Sequence, residues 1–423
     1  MNNEIKNIFH ITKRKNSAIL IFSIFSSQLL SAVIIFNLSL ITNYYLIWTV
    51  IYYIFSFIFA IPQSGISDVF GRKKHLNIAS MSILLSQILL LIVFFFKSNL
   101  SEAESFTSSI VFVLPICLLL GMTGNAIPIA RAGIADLKIH DFRTAMGWST
   151  IMIGLGWISA VLLGILLPLI GLFFVCMILQ IFNVIFIGNY FLDEQDSTVP
   201  VKEKRETFSS VAMLSYKWFG SMFLVIGGSA AILAYFFSET AFYQVFSLHE
   251  DGEKDLGIRI IGIFMAFGYT FGVIIQWIMS FSDKSGIKKG ISVSMIALAL
   301  LMFLNYFSQI NPYQLKYLMV NSLYIEGLLA FTIALGYGFI DPSLFSLMSK
   351  KLEQHHFGKL FGAIDSTSTL GICFAFFILF LTGKFNVISD FKYLICLVIF
   401  LISCIFFIVF IKRFASYEQE KKD

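Results

Sequence analysis

Carboxylates set inside apolar runs are the residues of this 423-residue chain whose chemistry most needs explaining. Glu239, Glu326 and Asp365 each interrupt a stretch that is otherwise almost wholly hydrophobic. Insertion-based scales charge about 2.5–3.5 kcal/mol for an Asp at the centre of a membrane helix, so each of these acids needs a partner, water or a proton. The chemistry on offer is reversible proton binding coupled to movement of a solute, or direct contact with that solute. Glu239 lies in Ser238–Gln244, a polar break in a long apolar run, and reads as cavity lining. Glu326 falls about two turns from the outer end of its run and Asp365 about one turn from the inner end, so a gate or a cap is the competing role for both. The six histidines sit at or near loops and the five cysteines show no ligand spacing, so no metal site is expected.

These acids have to be positioned by elements that suit a bilayer. The chain is 58% hydrophobic with a mean hydropathy of +0.85, against about 45–50% apolar in ordinary soluble domains. Runs near 17–41, 44–62, 75–96, 108–130, 145–167 and 169–191 are each long enough to cross a membrane as a helix. A second set follows near 219–243, 258–281, 290–308, 318–341, 360–382 and 393–411. The first run exceeds the apolar core of a signal peptide and is expected to stay as an uncleaved helix. An even number of spans puts both termini on one face, and 24 of the 30 Lys and Arg then fall on that face. The positive-inside rule makes it cytoplasmic. The net charge of +5 is confined to short loops and is no nucleic-acid footprint. The ATP-binding pattern Gly-x4-Gly-Lys-Ser/Thr is absent, so any pumping has to run on an ion gradient.

The spans are arranged as two copies of one unit. Ser67-Asp68-Val69-Phe70-Gly71-Arg72-Lys73-Lys74 lies between the second and third runs, and its Asp, Gly and cations recur in Ser282–Lys289 at an offset of 215. The same offset relates Gly121 to Gly336, Phe142 to Phe357, Gly147 to Gly362 and Gly156 to Gly371. The interval 193–216 mixes Asp, Glu, Lys and Arg and reads as a linker. The expected organisation is a first six-helix bundle over 1–192, a cytoplasmic linker over 193–216, a second bundle over 217–412 and a cytoplasmic tail over 413–423.

The first loop resembles the signature between the second and third helices of the major facilitator superfamily, Gly-x-Leu-(Ala/Ser)-Asp-Arg-x-Gly-Arg-(Arg/Lys). Asp68, Gly71, Arg72 and Lys73 match it, while Ser64 and Val69 stand where the family has Gly and Arg. The resemblance implies an all-α polytopic fold of twelve transmembrane helices in two pseudo-symmetric six-helix bundles that rock about a central cavity. It also implies that Asp68 pairs with Arg131 at the inner end of the fourth helix. Asp68 would in addition approach the N-terminus of the eleventh helix near Gly358–Gly362, where half a positive charge favours a carboxylate. Asp136 and Arg143 bracket the next inner loop and join this gate, and Asp283 with Lys288 forms its weaker mirror image. The junction Ala135, Asp136, Arg143, Met146, Gly147 is similar to that of the drug and metabolite exporters. Two departures stand out: Cys117 occupies the place of that subgroup's fourth-helix Arg, and the fifth helix carries only a degraded form of its Gly-Pro motif.

Small residues Gly154, Gly156 and Gly164 in the fifth span suit close helix packing. Pro128 and Pro342 occupy equivalent places in the repeat, where bends would suit moving helices. Asn37, Gln28, Gln180 and Asn183 are polar residues deep in the first and sixth spans, and Gln276, Tyr269 and Tyr337 lie deep in the second half; all are cavity candidates. The reading that results is a monomeric secondary transporter of a small organic solute in a bacterial inner membrane, with no cofactor and a proton gradient as energy source. A proton-coupled exporter leads. A nutrient importer or uniporter, and a non-transporting receptor or assembly protein on the same fold, are the alternatives.

Overall fold

The computed structural model describes residues 3–37, 45–97, 106–137, 142–192, 255–279, 282–310, 328, 331–346 and 357–384. The expected linker, the tail, the seventh and twelfth spans, Glu239 and Glu326 lie outside the described residues, as do the side chains of Asn37 and Arg143. The described segments are helical. In chain order they are α1 (Asn3–Asn37), α2 (Tyr45–Phe70), α3 (Arg72–Lys97), α4 (Phe106–Leu118), α5 (Ala126–Asp136), α6 (Phe142–Leu166) and α7 (Leu169–Tyr190). The second half contributes α8 (Asp255–Ile278), α9 (Asp283–Ile310), α10 over 331–346, and α11 (Phe357–Lys384). Six of the helical stretches are long and apolar enough to span a membrane, all of them in the first half. On α7 the exposed residues Ile178, Ile181, Phe182 and Ile185 form one helical stripe, the pattern of a face turned to hydrocarbon.

Local sequence explains the joints. Gly71 has φ 96° and reverses the chain in a single residue between α2 and α3, a conformation that any side chain would strain. Pro168 sits at the N-cap of α7, where its missing N–H costs no helical bond. Asn16 of α1 donates to Leu192 O at 2.9 Å and accepts from Leu192 N at 3.2 Å, tying the end of the first half back to its start.

The fourth span is not one helix. α4 passes into a π-helical turn, Leu119–Thr123, then Gly124 and Asn125, before α5 begins. Backbone carbonyls freed by this break are met by side chains, Gln63 of α2 donating to Thr123 O at 2.5 Å and Asn125 to Gly121 O at 3.1 Å, while Thr123 donates to Ser82 Oγ of α3 at 2.7 Å and Ser56 of α2 to Asn125 Oδ1 at 2.9 Å. Without such partners an open backbone would not survive at membrane depth. The break therefore falls before Pro128, not at it. Pro128 lies buried in the first turn of α5, where backbone N–H groups have no helical acceptor. Pro342 is buried within α10, which runs on past the expected end of its span.

Two seams join the halves. α2 packs along α11, the most extensive contact between described elements, and α6 packs on α8. Ser366 of α11 donates to Phe57 O at 2.7 Å across the first seam, and the Trp148 and Trp277 rings meet at 5.4 Å across the second. The repeat relates α6 to α11 and α2 to α8, so each seam is the other's counterpart. Gly147 and Gly362, one repeat apart, sit in them: a Cβ at Gly362 would lie 2.7 Å from Ala60 O, and one at Gly147 2.5 Å from the Trp277 ring.

Of the fifth-span glycines, Gly154 and Gly156 are buried, and a Cβ at Gly156 would come within 2.9 Å of Gln28. Gly164 is exposed and a Cβ there would meet nothing within 4 Å, so it is no packing residue among the described residues. Gln180 and Asn183 also differ from expectation. They are fully buried against α3, donating to Ser80 O at 2.9 Å and Ser80 Oγ at 3.2 Å, and act as interhelical polar glue instead of cavity lining. Gln276 is likewise fully buried and donates to Ser343, joining α8 to α10.

The contrast between Gly362 and Gly164 is testable. Gly362→Ala overpacks the α2–α11 seam and is expected to destabilise by about 1–3 kcal/mol. Gly164→Ala is expected to be neutral or stabilising by up to about 1 kcal/mol, as in an exposed helix. Thermal unfolding of the purified variants in detergent checks both.

Candidate functional site

Two buried charge clusters lie at the Asp68 end of the bundle, one behind the other. In the outer one, Asp68 ends α2 and points at the start of α11, accepting from Gly358 N at 2.8 Å and Lys359 N at 3.0 Å. Arg72, 1% exposed, pairs with Asp68 and with Asp136 at the end of α5, 2.8 Å away, and donates to Ser67 Oγ at 2.6 Å. A carboxylate taken from water needs charge-assisted donors to offset its desolvation. Asp68 finds them in a guanidinium and in a helix N-terminus, and that helix belongs to the other half. Lys73 is half-buried beside this cluster on the first turn of α3.

The inner cluster was not foreseen from the sequence. Arg131 lies five residues before Asp136, about 7.5 Å deeper along α5. Its partner is Asp341 of α10, at 2.8 Å, with both groups buried. Asp341 also accepts from Thr150 of α6 at 2.7 Å and Tyr269 of α8 at 2.9 Å. Arg131 donates further to Ser149 Oγ at 3.0 Å, and its guanidinium carbon lies 4.2 Å from the Phe345 ring centroid. One ion pair thus gathers α5 and α6 from the first half and α8 and α10 from the second. The expected pairing of Asp68 with Arg131 is replaced: Arg72 and the α11 N-terminus satisfy Asp68, and the deeper Arg131 reaches across the halves instead.

The second copy of the loop is built differently. Ser282 caps α9, accepting Ser285 N on its hydroxyl at 3.3 Å and Gly286 N on its carbonyl at 2.8 Å. Gly286 is a helical residue pressed against Gln276, not a reversal like Gly71. Asp283 accepts from Ser346 at 3.1 Å while Lys288 is exposed, so the expected mirror-image Asp283–Lys288 latch is not formed.

Asp365 stands apart from these clusters. It lies eight residues into α11, deeper than its sequence position suggested, and is half-buried. No hydrogen bond or ion pair reaches its carboxylate among the described residues. Asp68, Asp136, Asp283 and Asp341 all have donors. Tyr337 of α10 lies near by, its hydroxyl 3.4 Å from Ser368 Oγ one turn along α11, and its ring 5.6 Å from that of Tyr269. No group of His, Cys, Asp and Glu that could hold a metal occurs among the described residues.

With this architecture in view the comparisons are informative. The sequence matches the Major Facilitator Superfamily over residues 18–376, and the chain belongs to that family: it is an integral membrane transporter of small molecules, not an enzyme. Similar solved structures include the human organic anion transporter MFSD10 (TETRAN), with a TM-score of 0.65 at 14% identity, covering 92% of this chain and 99% of that one. A bacterial homologue of the iron transporter ferroportin in its outward-facing state matches with a TM-score of 0.66 at 15% identity, covering 96% and 99%. At such identities the likeness concerns the fold alone. A search of curated proteins returned no match.

The Arg131–Asp341 pair makes an asymmetric prediction. Breaking a buried ion pair from one side costs about 3–5 kcal/mol, whereas replacing both charges by apolar groups is often neutral. Asp341→Asn and Arg131→Met are each expected to destabilise the closed arrangement at this end, read as faster alkylation of a cysteine introduced beside Asp341. The double variant Arg131→Met/Asp341→Leu is expected to be less perturbed than either single one.

Proposed function

We propose that this chain exports a small amphipathic organic solute in exchange for protons by alternating access, with Asp365 as the coupling carboxylate. The observation that carries the reading is the state of Asp365: it is an acid deep in a membrane helix, at the seam between the halves, with no protein donor to its carboxylate among the described residues. A carboxylate so placed is satisfied by a proton or by cargo, and exchange of one for the other is what antiport requires. Residues 1–192 and 217–412 form the two rocking units, and the Asp68 end with both termini faces the cytoplasm of a bacterial inner membrane, as the distribution of Lys and Arg favours. The two charge clusters then act as the inner gate. They hold the halves together while the opposite side is accessible, and they must part for the solute to enter from within.

One similar structure is of an organic anion transporter and the other of a homologue of an iron transporter, so one fold serves unlike cargo and the site has to decide. In this chain the two buried arginines at the seam, Arg72 and Arg131, are already engaged by carboxylates, which disfavours phosphate esters, whose recognition calls for available cations.

The test is pH-linked transport in proteoliposomes, with amphipathic cations, amino acids and sugars added in turn. Proton movement accompanying one solute class, abolished in Asp365→Asn and retained in Glu239→Gln, is the expected result. Coupling lost in Glu239→Gln alone moves the role to Glu239. Flux indifferent to the proton gradient and to both substitutions overturns the antiport reading and leaves a uniporter.

A further inference from the structure

Away from both clusters, a groove of about 740 Å3 runs between α1 and α6 at the Asp68 end of the bundle. Its walls are two matched helical stripes, Ala18, Ile21 and Phe25 from α1 and Ala145, Trp148 and Met152 from α6. Only the end towards the chain's N-terminus is polar, where Ser17 and Thr144 face it. Phe22, also in the wall, packs edge-on against Phe186 of α7 at 5.9 Å, next to the α7 stripe that meets hydrocarbon. The groove is therefore on the outside of the bundle.

The stripe on α1 does not end at Ala18. Arg14, four residues earlier, continues the same face one turn beyond the groove's polar end, and it is exposed. No hydrogen bond or ion pair engages its guanidinium among the described residues. Its neighbour Lys15 is held differently, over the Tyr190 ring at 4.6 Å. α1 itself runs on to Asn3, well beyond its apolar part. An apolar slot beside a hydrocarbon-facing stripe, capped by a cation with no partner among the described residues, has the two-part chemistry of one occupant, a molecule with a long apolar tail and an anionic head.

We propose that the α1–α6 groove binds an anionic glycerophospholipid from the surrounding leaflet, with an acyl chain between the two stripes and the phosphate at Arg14. The site has a mechanical consequence. Trp148 is a wall of the groove and also the ring that packs on Trp277 across the α6–α8 seam. A seated chain buttresses that ring from behind and favours the arrangement in which the halves meet at this end.

Native mass spectrometry of the full chain, released from detergent after addition of equal phosphatidylglycerol and phosphatidylcholine, tests this directly. The wild type is expected to retain phosphatidylglycerol about fivefold over phosphatidylcholine, the effect of one interfacial cation on an anionic lipid. Arg14→Gln is expected to lose that preference while still retaining lipid, and Ala18→Phe, which fills the groove from an exposed position, to lose retention of both lipids. Lys74→Gln, an exposed charge in the first turn of α3 outside the groove, serves as control and is expected to behave as wild type. Undiminished preference in Arg14→Gln, or undiminished retention in Ala18→Phe, overturns the proposal. Retention of a free fatty acid in place of either phospholipid also overturns it, and makes the groove an entry route for cargo.

Discussion

A guanidinium cannot be left alone in a low-dielectric interior, and Arg131 is 4% exposed in the middle of the bundle. That one constraint accounts for much of the arrangement around it. Asp341 has to come from the other half to meet it, Thr150 and Tyr269 supply the remaining donors to the carboxylate, and Phe345 covers the open face of the cation. The contact is costly to form and more costly to break from one side. Such a pair contributes little net stability, but it ties the two halves together in the arrangement observed.

The internal repeat shows how one sequence pattern can be put to two uses. In the first copy Gly71 reverses the chain and Asp68 reaches across to α11. In the second copy the matching Gly286 is needed for close packing against Gln276, and Asp283 accepts from Ser346 of its own half. Symmetry survives in the seams, where Gly147 and Gly362 each admit a close neighbour, and is abandoned in the charges. At this end the first copy's loop carboxylate bonds the other half, and the deeper Arg131–Asp341 pair draws one partner from each half.

The helical class and the first-half spans were legible because membrane segments write themselves as apolar runs, and the loop between α2 and α3 because its glycine and cations have few other uses. What escaped was pairing. Asp341 fell at the expected edge of its span, where an acid is cheap; α10 in fact continues to residue 346 and buries it. Nor could the repeat have flagged it, since the matching position in the first half is Ala126. The signal that was available is an Asp directly before a proline in a helix, opposite a buried Arg with no acid in its own span. Gln180, Asn183 and Gln276 misled in the other direction, because a polar side chain within a span is equally suited to joining two helices and to lining a cavity. Sequence gives the residue and not the direction in which it points.

The interruption of the fourth span also bears on how force is passed along the molecule. A continuous helix behaves as a rod, so that rotation at one end is felt at the other. The wide turn at Leu119–Thr123 divides this rod, leaving the eleven-residue α5 as a separate piece with Arg131 and Asp136 on it. Its attachment to α4 runs through side chains of α2 and α3 as much as through the backbone. α5 is thus slung from its neighbours like a latch from a door frame. Arg131 and Asp136 are carried together on one short piece, separate from the helix that precedes it.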